Sequence, residues 1–370
     1  MKPIIIALYL PQFYPTPEND KWWGKGFTEW TNVGKAKSLF KGHDQPRVPT
    51  ELGYYDLRIP EIRQKQAEMA KEAGVSAFCY WHYWFGDGKR LLSDVFDEVL
   101  SSGSPDFPFC LGWANHSWYA KAWNKESKDK LLMEQTYPGI EDEREHFKFL
   151  LKAFNDRRYL KIDGKPFLLI YQPDNLPSSY VKNLRQWTKD AGFKDLFLVA
   201  NTFDRHKKKS DYLNHGYDAV HYNYIANVLY DKYEDIGKIR EYIDRLGRYI
   251  RQILTGKPRG ALNYAKYYKC SVTEREKDID VIPQIFPQWD HSPRSQNNAA
   301  AIYYNSTPEI FKKQALQALE CVKEKPEKYQ ILILKSWNEW GEGNYMEPDL
   351  TNGRGYIDAL RDAISEVSNL

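Results

Sequence analysis

Cysteine and methionine are scarce in this chain, with four of each among 370 residues. Cys79, Cys110, Cys270 and Cys321 are far apart and show no C-x-x-C spacing. The sequence therefore predicts neither a zinc ribbon nor a disulfide framework. Cys79 and Cys110 fall inside apolar runs, which favours small buried thiols and a reducing compartment.

Long hydrophobic runs are also lacking, since no apolar stretch approaches the roughly 18 residues of a membrane span. The apolar run 4–8 after Lys2 faintly resembles a signal peptide, but Pro11 and Gln12 follow it and no small-residue cleavage site does. We interpret the run as a first strand. We expect a cytoplasmic protein, or a periplasmic or secreted one if a signal peptide has been removed.

Several functional classes lack support in composition and motifs. The formal net charge is only +3, which does not indicate a nucleic-acid partner. The sequence contains no G-x-x-x-x-G-K-[ST], G-x-G-x-x-G, H-E-x-x-H or G-x-S-x-G pattern. Asp278 and Asp280 form a D-x-D pattern, but they precede a predicted strand, at the wrong end for a site. We expect no cofactor and no metal, although histidine ligation stays an alternative.

Aromatic residues, by contrast, are abundant and make up 15% of the chain. Many of them stand in polar, turn-rich sequence where a purely structural role is not expected. A sugar ring has an apolar C–H face that packs on an aromatic ring, while its hydroxyls need fixed donors and acceptors. The composition therefore favours a saccharide ligand, and the alternative is that these residues only fill a large core.

Short apolar runs alternate with helical patterns along the whole chain, which predicts an α/β fold, a (β/α)8 TIM barrel. We expect a single catalytic domain over 1–370, with loop insertions at about 10–57 and 225–278. The predicted strands are 4–8, 75–80, 107–113, 167–171, 196–200, 219–222, 281–286 and 331–335. The predicted helices are 59–73, 91–102, 141–154, 180–191, 236–254, 308–322 and 356–367.

The predicted strands end in aromatic and hydrogen-bonding residues, whereas their opposite ends carry short charged turns. Because active sites of this fold lie at the carboxyl ends of the strands, these residues are candidate sugar contacts. The candidates, with Trp30 added from the first insertion, are Tyr9, Gln12, Trp30, Trp81, His82, Trp113, Asn115, His116, Tyr171, His221, Tyr222, Trp289, Asp290, Arg294, Trp337, Asn338 and Trp340.

Each candidate also has a structural interpretation. A histidine at a strand end is about as well explained by a satisfied core position as by a sugar contact. Asp290 and Arg294 could pair with each other and hold a loop. His43, Asp44 and Arg47 fall in a loop where solvated charge is expected.

Two glutamates, Glu339 and Glu342, follow the last predicted strand directly and stand among tryptophans and glycines. Paired carboxylates at such a place can act as an acid and a base, because burial against Trp raises a carboxyl pKa. The alternative is a helix start, where acidic residues are common because of the helix dipole. We predict that these two residues are catalytic.

Five segments together resemble the WbsX family, which is linked to bacterial surface polysaccharide loci. The resemblance covers nearly the whole chain. The segments are Ala7-Leu8-Tyr9-Leu10-Pro11-Gln12-Phe13-Tyr14-Pro15, Gly26-Phe27-Thr28-Glu29-Trp30-Thr31-Asn32-Val33, Trp113-Ala114-Asn115, Trp289-Asp290-His291-Ser292-Pro293-Arg294 and Trp337-Asn338-Glu339-Trp340-Gly341-Glu342-Gly343. The last segment and Glu347-Pro348 are also similar to glycoside hydrolase family 99, endo-α-mannosidases and endo-mannanases that are (β/α)8 barrels.

The resemblance implies roles for the two glutamates in a retaining hydrolysis. Glu342 resembles the general acid/base that protonates the leaving oxygen. Glu339 resembles the base that takes a proton from the sugar 2-hydroxyl, which then attacks the anomeric carbon. His116 departs from the pattern, since many relatives carry an acidic residue there.

Three functions follow from these observations. The first is a retaining endo-glycoside hydrolase acting on a bacterial polysaccharide. The second is a glycosyltransferase in O-antigen or capsule biosynthesis, which the family label suggests. The third is a non-catalytic glycan-binding protein. The expected partner in each case is an oligo- or polysaccharide, and the sequence predicts no oligomeric state.

Overall fold

Eight parallel strands surround the core of the molecule. The computed structural model describes residues 3–120, 130–223, 228–296 and 301–368. We number the barrel strands in chain order as β1 (Ile4–Tyr9), β2 (Ala77–Trp84), β3 (Phe109–Trp113), β4 (Lys165–Ile170), β5 (Phe197–Thr202), β6 (Ala219–Tyr222), β7 (Gln284–Ile285) and β8 (Ile331–Leu334).

The order of the strands in space is that of a barrel. They run β6-β5-β4-β3-β2-β1-β8-β7, and a parallel bridge between Val220 and Val281 joins β6 to the segment that enters β7. Every predicted strand overlaps an observed one. The predicted (β/α)8 barrel is confirmed.

Helices connect the strands, and all seven predicted helices are present, most with ends within three residues of the predicted ones. The helices are α1 (Pro17–Trp23), α2 (Glu29–Lys35), α3 (Pro60–Ala73), α4 (Asp94–Ser102), α5 (Ile140–Phe154), α6 (Ser178–Asp190), α7 (Lys209–Leu213), α8 (Val228–Thr255), α9 (Tyr264–Tyr267), α10 (Ser292–Ser295), α11 (Pro308–Lys323) and α12 (Gly355–Ser368).

Short strand pairs outside the barrel comprise Arg90–Leu91 with β2, Lys161–Ile162 with β4, Trp118–Tyr119 with Leu131–Met133, Ala261–Asn263 with Ile302–Tyr304, and Asn338–Glu339 with Asn344–Tyr345. Single turns of 3₁₀ helix cover Pro173–Asn175, Tyr268–Ser271, Arg275–Lys277, Glu327–Tyr329 and Trp340–Glu342.

The barrel strands are apolar on both faces because side chains fill the barrel interior and helices cover its outside. All four side chains of β8 are fully buried, and β8 pairs in parallel with β1 from Ile4 opposite Ile331 to Ala7 opposite Leu334. Burying one such side chain contributes about 1.5–3 kcal/mol, so a run of this kind has a strong preference for the core. Cys79 and Cys110, on neighbouring strands, are buried and unpaired as expected, whereas the Cys270 side chain lies outside the described residues.

The first insertion, between β1 and β2, folds back over the carboxyl end of the barrel. It carries α1 and α2, and the backbone nitrogen of Leu57 at its end donates to the carbonyl oxygen of Phe13 at 3.0 Å. Asn338, after β8, ties its beginning down by two bonds to the Leu10 backbone, at 2.8 Å to the nitrogen and 2.9 Å to the oxygen. This insertion therefore forms one wall above the barrel. The predicted second insertion contains α8 and α9, and residues 224–227 at its start lie outside the described part.

Candidate active site

A cleft of about 600 Å³ lies at the carboxyl ends of the strands. Seven of the predicted site residues line it, namely Gln12, Trp81, His116, Tyr171, Arg294, Glu339 and Glu342. The residues without a predicted role that line it include Trp23, Glu29, Tyr83, Trp118, Gln172 and Lys335. The cleft thus combines aromatic faces, amides and five charged side chains.

The two glutamates are held by a short, tightly bonded segment after β8. The Trp337 nitrogen donates to the Leu8 oxygen at 2.8 Å, and Asn338–Glu339 pairs with Asn344–Tyr345 as a two-residue antiparallel ribbon. Glu342 closes a single 3₁₀ turn. Because no α-helix begins at the described residues 339–342, the helix-start interpretation of this acidic pair is wrong.

Glycine is required twice in this segment. A Cβ on Gly341 would lie 1.9 Å from Glu29 Oε2, so only glycine lets that carboxylate approach the backbone. Gly343 has φ +54°, and a Cβ there would lie 2.8 Å from the Cβ of Asp290. The spacing of the motif is therefore fixed by close packing as well as by chemistry.

Arg294 binds three carboxylates at once. Its Nε donates to Glu29 Oε2 at 3.1 Å, its Nη1 to Glu342 Oε1 at 2.5 Å and its Nη2 to Glu339 Oε2 at 3.3 Å. A planar guanidinium can present donors in several fixed directions, which a lysine cannot do. Arg294 therefore sets the positions of both predicted catalytic carboxyls, while Glu29 in turn helps to position Arg294.

The two glutamates have pKa values shifted in opposite directions. Burial, and next the negative charge of Glu342, raise the pKa of Glu339 from its ordinary 4.5 to about 7. Burial alone would also raise the pKa of Glu342, but the charges of Arg294, Lys335 and His291 outweigh that effect and lower it. Glu339 thus holds a proton more readily than Glu342.

Lys335, the residue directly after β8, brings a second cation to the cleft. Its side chain is 92% buried, with Nζ 4.5 Å from the centre of the Trp289 ring. Burial lowers its pKa, and the nearby Glu342 and Glu339 oppose that effect. Trp289 therefore supports Lys335 from one side, and it is not among the residues that line the cleft.

A buried carboxyl, Glu347, is hydrogen-bonded to the segment that carries the two glutamates. It accepts hydrogen bonds from Trp340 Nε1 at 2.6 Å, Gln66 Nε2 at 2.6 Å and the Tyr55 hydroxyl at 2.8 Å. Burial raises its pKa to about 7 even though these donors oppose the shift. Tyr9 joins the network through a 2.6 Å bond to Gln66. The predicted contacts Tyr9 and Trp340 thus hold the backbone beside the glutamates.

Asp290 is buried and bonded away from Arg294. Its Oδ2 lies 2.8 Å from His43 Nε2 and accepts from Gln45 Nε2 at 2.7 Å. Burial would raise its pKa, but the His43 bond and the Arg47 charge lower it to about 2. The proposed Asp290–Arg294 pair is therefore wrong, and so is the interpretation of His43 and Arg47 as solvated loop charges, since each is only 7% exposed.

Of the three histidines predicted as site residues, His116 lines the cleft, and His82 and His221 do not. His116 lines the cleft, and burial lowers its pKa to about 4. His82 instead contacts His146 on α5, with 2.9 Å between their Nε2 atoms, and His221 Nδ1 lies 3.1 Å from the Ile282 oxygen. No group of three or more His, Cys, Asp or Glu side chains suited to a metal ion occurs within the described ranges.

Several other predicted contacts lie outside the cleft lining and are bonded within the protein. Trp113 is fully buried and donates to the Trp84 oxygen at 3.0 Å, and Trp30 donates to the Tyr55 oxygen at 2.7 Å. Others in this group are Tyr222, bonded to the Lys207 oxygen, Trp337, fully buried, and Asn338, bonded to Leu10. Asn115 bonds both backbone groups of Gln172 at 2.8 Å and so positions a residue that does line the cleft.

Sequence reasoning missed Glu29, Tyr83 and Lys335 as site residues. Glu29 lies about 300 residues from the glutamates in sequence, and its segment carries no signal of a site besides the family resemblance. Lys335 ends an apolar strand, which was an available signal, because a charged residue at the carboxyl end of a barrel strand points to the site. Tyr83 is two residues after Trp81 and so points the same way.

The structure is a (β/α)8 barrel with two buried glutamates in an aromatic cleft at the carboxyl ends of its strands, the face at which active sites of this fold lie. The chain belongs to the family described as "Glycosyltransferase WbsX", whose model matches residues 5–360. A protein of Xanthomonas campestris pv. campestris, "Uncharacterized protein WxcX", is 31% identical over 99% of this chain. The chain spans about half the length of that relative, 50%.

Solved structures agree on the fold. A GH99 endo-α-mannosidase from Bacteroides thetaiotaomicron, in complex with bis-tris-propane, is similar with a TM-score of 0.57 at 16% identity, covering 99% of this chain and 97% of that one. A "Glycoside hydrolase-like protein" gives a TM-score of 0.58 at 16% identity over 98% and 94% of the two chains. At this level of identity the likeness concerns the barrel itself.

Proposed function

We propose that the protein is a retaining endo-glycoside hydrolase that acts on a bacterial polysaccharide through Glu339, Glu342 and the substrate 2-hydroxyl. The observation that carries the proposal is the buried pair of glutamates bridged by Arg294, with pKa shifts of opposite direction. Two titratable groups whose environments push their pKa values apart are typical of an acid and a base.

The resemblance supplies the assignment of the roles. Glu339 takes the proton of the 2-hydroxyl, and the 2-oxygen attacks the anomeric carbon to give a 1,2-anhydro sugar. Glu342 donates its proton to the leaving glycosidic oxygen as that bond breaks. Glu342 then takes a proton from a water that opens the anhydro ring, and Glu339 returns its proton to the 2-oxygen. Two inversions at one carbon give retention, without a carboxylate nucleophile.

These roles require the proton distribution to change when the saccharide binds. Arg294 Nη1 lies 2.5 Å from Glu342 Oε1, and Arg294 Nη2 lies 3.3 Å from Glu339 Oε2. If the guanidinium moves from Glu342 toward Glu339, burial becomes the dominant effect on Glu342 and raises its pKa, while the pKa of Glu339 falls. We infer that a sugar oxygen entering between Arg294 and Glu342 causes this exchange and so makes Glu342 the proton donor.

The rest of the cleft fits the recognition of a saccharide. Trp81 and Tyr171 offer aromatic faces, with ring planes at 86° to each other, and Gln12 and His116 stand beside them. Such a mixture suits a ligand with apolar faces and many hydroxyls.

The test uses the separate roles of the two glutamates. Purified protein is first incubated with surface polysaccharides, and released reducing ends are read by mass spectrometry. Glu342→Gln should lose activity on the natural glycan but still release about one equivalent of fluoride from a glycosyl fluoride, whose leaving group needs no proton, before the slowed attack of water limits turnover. Glu339→Gln should lose both activities, and an exposed Glu320→Gln control should lose neither. A 2-deoxy substrate that is cleaved normally would refute the participation of the 2-hydroxyl.

The family description favours a second candidate, a glycosyltransferase. Arg294 and Lys335 are the cations that a nucleotide diphosphate would need in the cleft. Thermal-shift titration with UDP- and GDP-sugars separates the two functions, since only a nucleotide-dependent enzyme is stabilised by them. A non-catalytic glycan-binding protein has less support, because it has no use for two buried carboxyls with opposed pKa shifts.

A further inference from the structure

The long helix α8 is amphipathic, but its apolar face is exposed and its charged face lies toward the protein. Sixteen large apolar side chains are exposed in the described part of the chain, and half of them lie on this one helix. These eight are Ile239, Tyr242, Ile243, Leu246, Tyr249, Ile250, Ile253 and Leu254, with exposed fractions from 44% to 79%. We call this set the outer face of α8. An apolar patch of this kind marks an interaction surface.

The charged side of α8 is the side turned toward the protein. Glu241, Asp244, Arg248 and Arg251 recur at helical spacing and are the less exposed positions of this stretch. Asp244 pairs with Arg248 at 3.2 Å, and Arg251 Nη2 donates to the carbonyl oxygen of Ala261 at 2.9 Å. The helix is thus anchored by its polar side, which leaves the outer face available to a partner.

The width of the outer face and the charge of the residues that flank it indicate the kind of partner. At 3.6 residues per turn, its side chains cover an arc of about 140°, which is wider than the a/d seam of a two-stranded coiled coil. Lys238 and Arg245 lie on one border and Arg240 on the other. Both borders are cationic, and although Arg245 contacts Glu241, 59% of its side chain stays exposed.

A second copy of the chain fits this pattern poorly. Pairing two such faces would bring cationic borders against cationic borders, which is destabilising. A bilayer with anionic headgroups presents instead a broad apolar surface beneath a layer of negative charge. Isoleucine and leucine suit the acyl boundary, tyrosine suits the headgroup level, and basic residues beside the apolar arc suit anionic lipid.

We propose that α8 binds the protein to the surface of a membrane containing anionic lipid. The outer face would lie in the plane of the interface over about 24 Å, the length of its sixteen residues. No helix in the described part of the chain is long and apolar enough to cross a bilayer, so the attachment is peripheral. This proposal does not depend on the reaction that the cleft performs.

Vesicle flotation of the 370-residue chain tests the proposal directly. Wild type should float with vesicles of phosphatidylcholine containing about one-third phosphatidylglycerol, and weakly with phosphatidylcholine alone. The double variant Ile243→Asp, Ile250→Asp should reduce the bound fraction by at least about tenfold, because two exposed side chains that would enter the membrane interface become charged. Leu350→Asp, which changes a 72% exposed residue elsewhere, is the matched control and should float like wild type.

A charge-reversal variant tests the role of the basic borders, and melting temperatures test whether the variants stay folded. Lys238→Glu with Arg240→Glu should weaken flotation with anionic vesicles while leaving the weak neutral binding unchanged. All variants should keep the melting temperature of wild type, since they change exposed positions. The proposal is overturned if wild type does not float with anionic vesicles, or if the double isoleucine variant floats as well as wild type. A dimer in light scattering that Ile243→Asp abolishes would assign the face to a second copy and overturn it as well.

Discussion

Replacing Glu339 by glutamine should make the protein more stable above neutral pH. The pKa of Glu339 is raised in the folded state from 4.5 to about 7. Below pH 4.5 both the folded and unfolded forms are protonated, and the group costs nothing. Between pH 4.5 and 7 only the unfolded form ionises, so stability falls as pH rises. The shift of roughly 2.5 units corresponds to about 3 kcal/mol lost above pH 7.

Glutamine cannot ionise, so the variant keeps the free energy of unfolding that wild type loses above pH 7. Its amide oxygen can still accept a hydrogen bond from Arg294. A domain of this length has an unfolding entropy near 0.8 kcal/mol/K, which converts about 3 kcal/mol into a rise of about 4 °C in melting temperature. We therefore expect Glu339→Gln to melt about 4 °C above wild type at pH 8 and at the same temperature as wild type at pH 4.5. Differential scanning calorimetry over this pH range measures the difference.

Other buried carboxyls do not account for the expected difference in melting temperature. Glu347 has a pKa raised to about 7 as well, but it is unchanged in both proteins and cancels. Glu342→Gln should do the opposite and destabilise, because the pKa of Glu342 is lowered by its cationic neighbours. If Glu339→Gln melted below wild type at pH 8, or if the difference were the same at both pH values, the assignment of a buried, protonated Glu339 would be refuted.

Three other substitutions test the site. Arg294→Lys keeps a charge but loses the fork that reaches three carboxylates, so kcat/KM on the cleaved glycan should fall about 100-fold, and the pH dependence of kcat should shift with it. Asp290→Ala leaves His43 buried without its partner and should cost about 3 kcal/mol in chemical denaturation; a large rise in KM at unchanged stability would instead make Asp290 a substrate contact. We expect Lys335, which lines the cleft, to donate to a sugar hydroxyl. Lys335→Met should therefore raise KM about tenfold, and unchanged saccharide affinity in calorimetric titration would exclude that contact.

The alternation of side chains along β2 limits what the sequence could predict about the site. Trp81 and Tyr83 point into the cleft, while His82 between them points outward to His146 on α5. The predicted strand marked where this segment ends, and with it the end of the barrel where the site lies. It did not mark which of two adjacent polar or aromatic residues faces the cleft, because the phase of the alternation depends on how the strand sits in the closed barrel.

The sequence by itself determined the barrel and the end of it at which Glu339 and Glu342 line a cleft, because apolar periodicity and a short motif are local properties. Only the tertiary structure decided which partner each charge has. Arg294 is bonded to Glu29, which is distant in sequence, and not to Asp290, which is four residues away. Asp290 is bonded to His43 instead. Such pairings depend on burial and on distances between loops that follow different strands. Those loops meet only when the barrel has closed.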